Sequence, residues 1–272
     1  MCDCDCKDFC ENKVGYSKIN LRTLYAPIWV TTQKAMNWLC FGRLLVFIYL
    51  LVGYIIGLSL SFQGGKFFVY LTYQTLTLNL TNAFLLLCRS LYLRKRIYDP
   101  IKGAGQEATW VDKFIWTVWQ TAYPSAHIVT LIYWVLIYDP ENSNIAGRYN
   151  HGPPLIHVYF EFFMSETPFK WTMLPICYIY YLLYIAVHLI FVFAKDEYIY
   201  EAVDPRETDD FFWFPVILVL LGSFFGIGKL LRYLLNKCLG NEEVINPHHS
   251  SGEDGDIELS TSDSSSRDTE SS

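Results

Sequence analysis

Apolar residues run in long blocks along this chain, separated by short polar stretches. A helix crossing the hydrocarbon core of a bilayer needs roughly 17 to 25 predominantly apolar residues. Five blocks reach that length: 41–62, 67–88, 114–138, 172–194 and 211–235. A sixth, 151–165, is short and opens on Pro153-Pro154, a pair suited to the first turn of a helix and not to its interior. Extended to residue 169 it reaches spanning length. The pattern predicts an all-α fold, a polytopic membrane helical bundle with about six spans. Ahead of the first span, residues 23–38 place Trp29 and Trp38 among Lys34 and polar neighbours, which predicts a helix lying in the headgroup layer. The domains expected are a cytosolic segment 1–40, a membrane domain 41–235 and a disordered, acidic, Ser-rich cytosolic tail 236–272.

Charge decides the number of crossings. Lys and Arg collect in cytosolic loops, and six spans with a cytosolic N-terminus put 17 of the 21 Lys and Arg on that side. If block 151–165 instead dips in and returns, the split falls to 14 against 7. Six crossings with both termini cytosolic is therefore the expectation, in the plasma membrane or the endoplasmic reticulum.

Composition agrees: 52% of the residues are hydrophobic, 17% aromatic and only 18% charged, too apolar for an ordinary soluble domain. The net charge of -6 belongs to the tail, where nine Asp and Glu from residue 241 onward face only Arg267, leaving 20 basic and 18 acidic residues elsewhere. No dense basic stripe exists to neutralise phosphates, so nucleic acid is not an expected partner. Membrane lipids are, together with cytosolic partners of the acidic tail. Cys2, Cys4, Cys6 and Cys10 crowd the N-terminus without Cys-x2-Cys spacing and are candidates for S-acylation. The acidic, polar start gives no expectation of a cleavable signal peptide. No cofactor and no metal is expected, since tight His boxes, Gly-rich phosphate loops and a Ser nucleophile elbow are all missing.

Polar residues at hydrocarbon depth carry the chemistry, because each costs free energy unless it pairs or lines a cavity. Thr72, Thr75, Asn79 and Asn82 recur at spacings of three and four and share one helix face. Such a face serves interhelical hydrogen bonding or a site. His157 and Glu161, four residues apart, face the same way on a helix, where a carboxylate can orient an imidazole. Counting from the non-cytosolic ends of their spans, Thr72 lies about 7 to 8 Å deep and His188 about 9 Å deep. His151 enters on that side too, so three polar groups converge on one leaflet.

Several of these residues fall in motifs. Tyr70-Leu71-Thr72-Tyr73, Asn150-His151-Gly152 followed by Leu155 and Glu161, and Tyr198-Ile199-Tyr200 resemble the androgen-induced membrane protein family. Val129-Thr130-Leu131-Ile132-Tyr133-Trp134, with Phe68-Val69-Tyr70-Leu71-Thr72, is closer to its rolling stone-like relatives. The resemblance covers residues 41–235 through short motifs. The first branch implies six spans and hydrolysis of fatty-acid esters of hydroxy fatty acids by a Thr nucleophile and a His, matching Thr72 and His151 here. Asn79, His157, Glu161 and His188 are then candidate supporting groups. The second branch implies a plasma-membrane protein of cell adhesion or myoblast-type fusion. Gln74 and Thr75 depart from the hydrolase pattern, and on the residues alone both readings stay open.

Overall fold

The computed structural model describes residues 24–25, 32–61, 67, 69–94, 108–138, 141, 150–197, 199–200, 206 and 212–238. The four N-terminal cysteines, Trp29 and the tail beyond residue 238 lie outside the described residues. Every long element is helical: α1 (Gln33–Ser61), α2 (Leu71–Leu93), α3 (Trp110–Ile132), α4 (Pro153–Met164), α5 (Leu174–Lys195) and α6 (Trp213–Cys238). A π-helical turn, Tyr133–Ile137, extends α3, and a 3-10 turn, Trp171–Met173, leads into α5. Met1–Arg232 forms one compact unit, which holds the helix bundle, and Tyr233–Ser272 forms a second.

The predicted blocks become helices with shifted ends. Helix α1 starts at Gln33, not at residue 41, so residues 33–38 of the expected interfacial helix are the first turns of the span itself, while Leu24 and Tyr25 are buried against Leu86, Leu93, Ile115 and Trp116. Ala35, Met36 and Leu39 are strong helix formers and nothing interrupts the run before residue 61. The Thr32 hydroxyl caps it, accepting a hydrogen bond from Ala35 N at 3.2 Å.

Among the described residues, four helices are long and apolar enough to cross a membrane: α1, α2, α5 with its 3-10 lead, and α6. Helix α3 is as long as α2 but plays a different part. Its residues 119–126 are buried without a break, and it packs against α2, α4 and α5. A stretch enclosed on every side touches protein, not lipid, and tolerates Gln120, Thr121 and Ser125 where a lipid-facing stretch would not, while Trp110, Phe114 and Leu131 toward the ends of α3 are exposed. Pro124 cannot donate to the Gln120 carbonyl. The Cys177 thiol meets that carbonyl instead, with Sγ 3.7 Å from the oxygen.

Helix α4 starts at the Pro pair, as its sequence demands, and covers 12 residues, about 18 Å at 1.5 Å per residue. That falls short of a hydrocarbon core of about 30 Å. After Met164 the chain does not continue as helix: Ser165 is extended at φ -144 and ψ 158. Non-helical backbone at such depth survives only when protein satisfies its polar groups. Here Trp116 Nε1 donates to the Pro168 carbonyl at 3.0 Å, and Lys170 N donates to Gln120 Oε1 at 3.2 Å. Ser165 Oγ donates to the Glu161 carbonyl at 2.8 Å.

Helix α6 closes against this stretch through glycine. A Cβ on Gly228 would stand 2.7 Å from Tyr123 Cε1 and 2.9 Å from Phe169 Cζ, rings that are themselves 1% and 5% exposed. Gly228→Val gains about 0.4 kcal/mol of helix propensity, against about 1 to 3 kcal/mol for overpacking. A net loss is expected, read as a lower melting temperature in detergent; an unchanged or raised value would refute this account of the contact.

Candidate functional site

The polar face of α2 points inward as its spacing requires: Thr72, Thr75, Asn79 and Asn82 are all buried. Its N-terminal end opens into a cavity of about 550 Å³, mouth included. Thr72 from α2, His151 from the turn before α4, Tyr184 and His188 from α5, and Tyr200 beyond α5 supply the polar wall. Leu71, Val129, Ile132, Ile137, Phe214 and Ile217 supply the apolar one. Three of the residues singled out from sequence, Thr72, His151 and His188, thus line one space.

Each is held differently. The His151 ring lies flat on Tyr133, centroids 3.7 Å apart and planes 8° off parallel. Its carbonyl accepts a hydrogen bond from Thr130 Oγ1 at 2.7 Å, which fixes the backbone beside the Pro pair. Its Nδ1 is buried with no hydrogen-bond partner among the described residues. His188 Nδ1 is 3.3 Å from the Tyr184 hydroxyl, one helical turn away. The Tyr200 hydroxyl accepts a hydrogen bond from Leu71 N at 3.0 Å, covering the first orphan N–H of α2. No hydrogen bond joins Thr72 directly to His151 among the described residues.

Asn79, His157 and Glu161 do not line this cavity. Glu161 does not orient His157; it is taken by Arg43, whose Nε and Nη2 reach Oε1 and Oε2 at 2.9 and 2.7 Å. His157 Nδ1 bonds Asn79 Oδ1 at 2.8 Å instead, and Asn79 Nδ2 donates to the Thr75 carbonyl at 2.9 Å. Arg43 Nη1 also donates to Ser90 Oγ at 2.6 Å and to the Tyr25 carbonyl at 2.9 Å. These groups form two hydrogen-bonded sets apart from the cavity, Arg43 with Glu161, Ser90 and Tyr25, and His157 with Asn79. His151, His157 and His188 therefore do not assemble a three-imidazole zinc set, and among the described residues no group of three His, Cys, Asp or Glu is placed to hold a metal ion.

No protein-family model, curated protein or solved structure matches the chain. Its chemistry is therefore read from the geometry of the site.

Sequence reasoning missed Arg43, Tyr184 and Tyr200 as participants. A signal existed for each. Arg43 is the lone charge inside block 41–62, and an unpaired charge there demands a partner. Tyr184 stands four residues before His188, and Tyr200 lies in the Tyr198-Ile199-Tyr200 motif. A second buried carboxylate, Asp112, caps α3 through Thr109 and binds Arg89 Nε at 2.7 Å and the Tyr25 hydroxyl at 2.7 Å. Burial, then the Asp112 carboxylate, push the Tyr25 hydroxyl well above its usual range, so it remains a donor.

Proposed function

We propose that this chain is an integral membrane hydrolase of lipid esters, with Thr72 as nucleophile and His151 as general base. The observation that carries the reading is the shared cavity: Thr72 and His151 line one space whose lining is otherwise mostly apolar. An apolar wall beside a few polar groups suits a ligand with an acyl chain and one polar junction. The resemblance to the androgen-induced family points to the same Thr and His, and makes a fatty-acid ester of a hydroxy fatty acid the substrate class.

The chemistry balances with these two residues. Thr72 Oγ adds to the ester carbonyl carbon while its proton passes to His151 Nδ1. The tetrahedral intermediate collapses, and the departing alkoxide takes that proton and leaves as the hydroxy acid. Water then adds to the acyl-Thr72 carbonyl, yielding a proton to His151. The second collapse releases the fatty acid, and Thr72 Oγ recovers the proton. Contacts between nucleophile and base are commonly loose before substrate binds.

Topology fits a lipid substrate. Six crossings with both termini in the cytosol leave four Lys and Arg on the far side. The fourth crossing is the 12-residue α4, followed by residues 165–170, which lie against Trp116 and Gln120 of α3. Thr72 then lies about a turn below the non-cytosolic surface, where an ester enters sideways from the leaflet. The acidic tail is a cytosolic segment for partner proteins, and the membrane is the plasma membrane or the endoplasmic reticulum.

The test is a fluorophosphonate probe and a panel of lipid esters offered to purified protein, Thr72→Ala and His151→Ala. Loss of labelling and turnover in both variants supports the hydrolase. Equal behaviour of all three would leave the non-enzymatic, adhesion or fusion reading.

A further inference from the structure

We propose that Tyr200, held in place by Tyr184 and His188, is the positioning residue that orients Thr72 for attack. The inference rests on the hydrolase reading above and names a part of the site which that reading does not use.

Helix α2 has no side-chain cap from its own N-cap residue, Tyr70. Tyr200, 129 positions away in the chain, supplies the missing acceptor by taking the Leu71 N–H at 3.0 Å. The same hydroxyl sits beside the Thr72 side chain and beside the Tyr184 hydroxyl. Tyr184 in turn reaches His188 Nδ1 at 3.3 Å. Four groups from α2, α5 and the segment after α5 therefore meet in one line along the cavity wall: His188, Tyr184, Tyr200, Thr72.

Counting lone pairs gives the line a direction. A phenol oxygen accepts at most two hydrogen bonds and donates one. Leu71 N–H and Thr72 N–H both point at the Tyr200 oxygen and fill its two acceptor positions, so Tyr200 has only its own proton left to give, and Thr72 Oγ beside it can accept that proton. Tyr184 stands between Tyr200 and His188, its hydroxyl 3.3 Å from His188 Nδ1. Thr72 Oγ, accepting from Tyr200, keeps its own proton free to be turned toward His151. The array thus fixes a rotamer and a proton direction at the nucleophile, the entropic part of catalysis.

Packing makes the array stiff. The Tyr200 ring meets Tyr70 edge-on at 5.5 Å and lies parallel to His188 at 6.3 Å, with planes 8° apart. Phe214 of α6 closes on His188 at 5.8 Å. A residue that served only to cap α2 would not require a second hydroxyl and an imidazole behind it.

The experiment uses the full chain in nanodiscs, with hydrolysis of a palmitoyl ester of hydroxystearic acid, the labelling rate with a fluorophosphonate, and the melting temperature. Tyr200→Phe keeps the ring and its packing and removes the hydroxyl. It is expected to lower kcat about 100-fold, with KM within about twofold, and to lower the melting temperature by several degrees, because Leu71 N–H loses its acceptor. Tyr184→Phe lowers kcat less, and Tyr184→Phe combined with Tyr200→Phe is no worse than Tyr200→Phe alone, because the two act in series. Wild-type kcat in Tyr200→Phe, or a loss confined to KM or to melting temperature, overturns the assignment while Thr72→Ala still reports a hydrolase. If the wild type does not turn over, or Thr72→Ala matches it, the hydrolase reading falls and the assignment falls with it.

Discussion

Arg43→Leu is expected to destabilise the protein by about 3 to 5 kcal/mol, the usual cost of breaking a buried pair and stranding one charge. The side chains of Arg43 and Glu161 are 1% and 3% exposed, and their Nη2–Oε2 contact is 2.7 Å. The pair is bidentate, and Arg43 also gathers Ser90 from α2 and the Tyr25 carbonyl from the segment before α1. Deleting the guanidinium leaves Glu161 with no cation in a region where water cannot compensate. The melting temperature in detergent should fall by about 10 °C or more, and the yield of monodisperse protein with it. Glu161→Gln should also lose stability, as an Arg without a carboxylate. The double variant Arg43→Met/Glu161→Leu should recover much of the loss, since two apolar side chains strand no charge. A single variant that melts like the wild type would mean that the pair contributes nothing net.

Thr72→Ala and His151→Ala should each reduce ester hydrolysis by about 1,000-fold or more, because nucleophile and base act as one unit. Thr72→Ser separates chemistry from packing. Serine keeps the hydroxyl and loses one methyl group, so it should retain turnover within about tenfold of the wild type and still take the fluorophosphonate. The stability of all three should stay close to wild type, because Thr72 and His151 lie on the cavity wall and not inside the Arg43 network. Full activity in Thr72→Ala would remove the nucleophile, and full activity in His151→Ala would remove the base. The cavity's apolar wall makes a further distinction: a water-soluble short-chain ester should be a poorer substrate than a long-chain one, through KM more than kcat.

Much of this fold is legible in the chain because the bilayer reads sequence so directly. Block length and apolarity locate α1, α2, α5 and α6, and a Pro pair marks the start of α4. The inward face of α2 follows from spacings of three and four, and all four of its polar residues are buried. Helix α3 is legible as a block, but the enclosure of its residues 119–126 is not. The end of α4 is not legible at all, since nothing in 165–170 announces that Trp116 and Gln120 will satisfy an extended backbone there.

The site divides the same way. Depth arithmetic brings Thr72, His151 and His188 to one leaflet, because rise per residue depends on nothing but helical geometry. Which of the polar groups share a cavity depends on rotation about each helix axis and on partners far away in sequence. His157 and Glu161 share a helix face, yet Arg43 across the bundle takes the carboxylate and Asn79 takes the imidazole. Tyr200 reaches Leu71 N, beside Thr72, only because the chain returns from α5 to the start of α2. A helical membrane bundle with polar residues held at hydrocarbon depth is written into the order of the residues, since apolar length and polar spacing are local and the bilayer imposes the rest. Which polar residues neutralise one another, and which remain facing a cavity, is settled by packing alone, because a buried hydrogen bond goes to whichever partner the fold brings within about 3 Å.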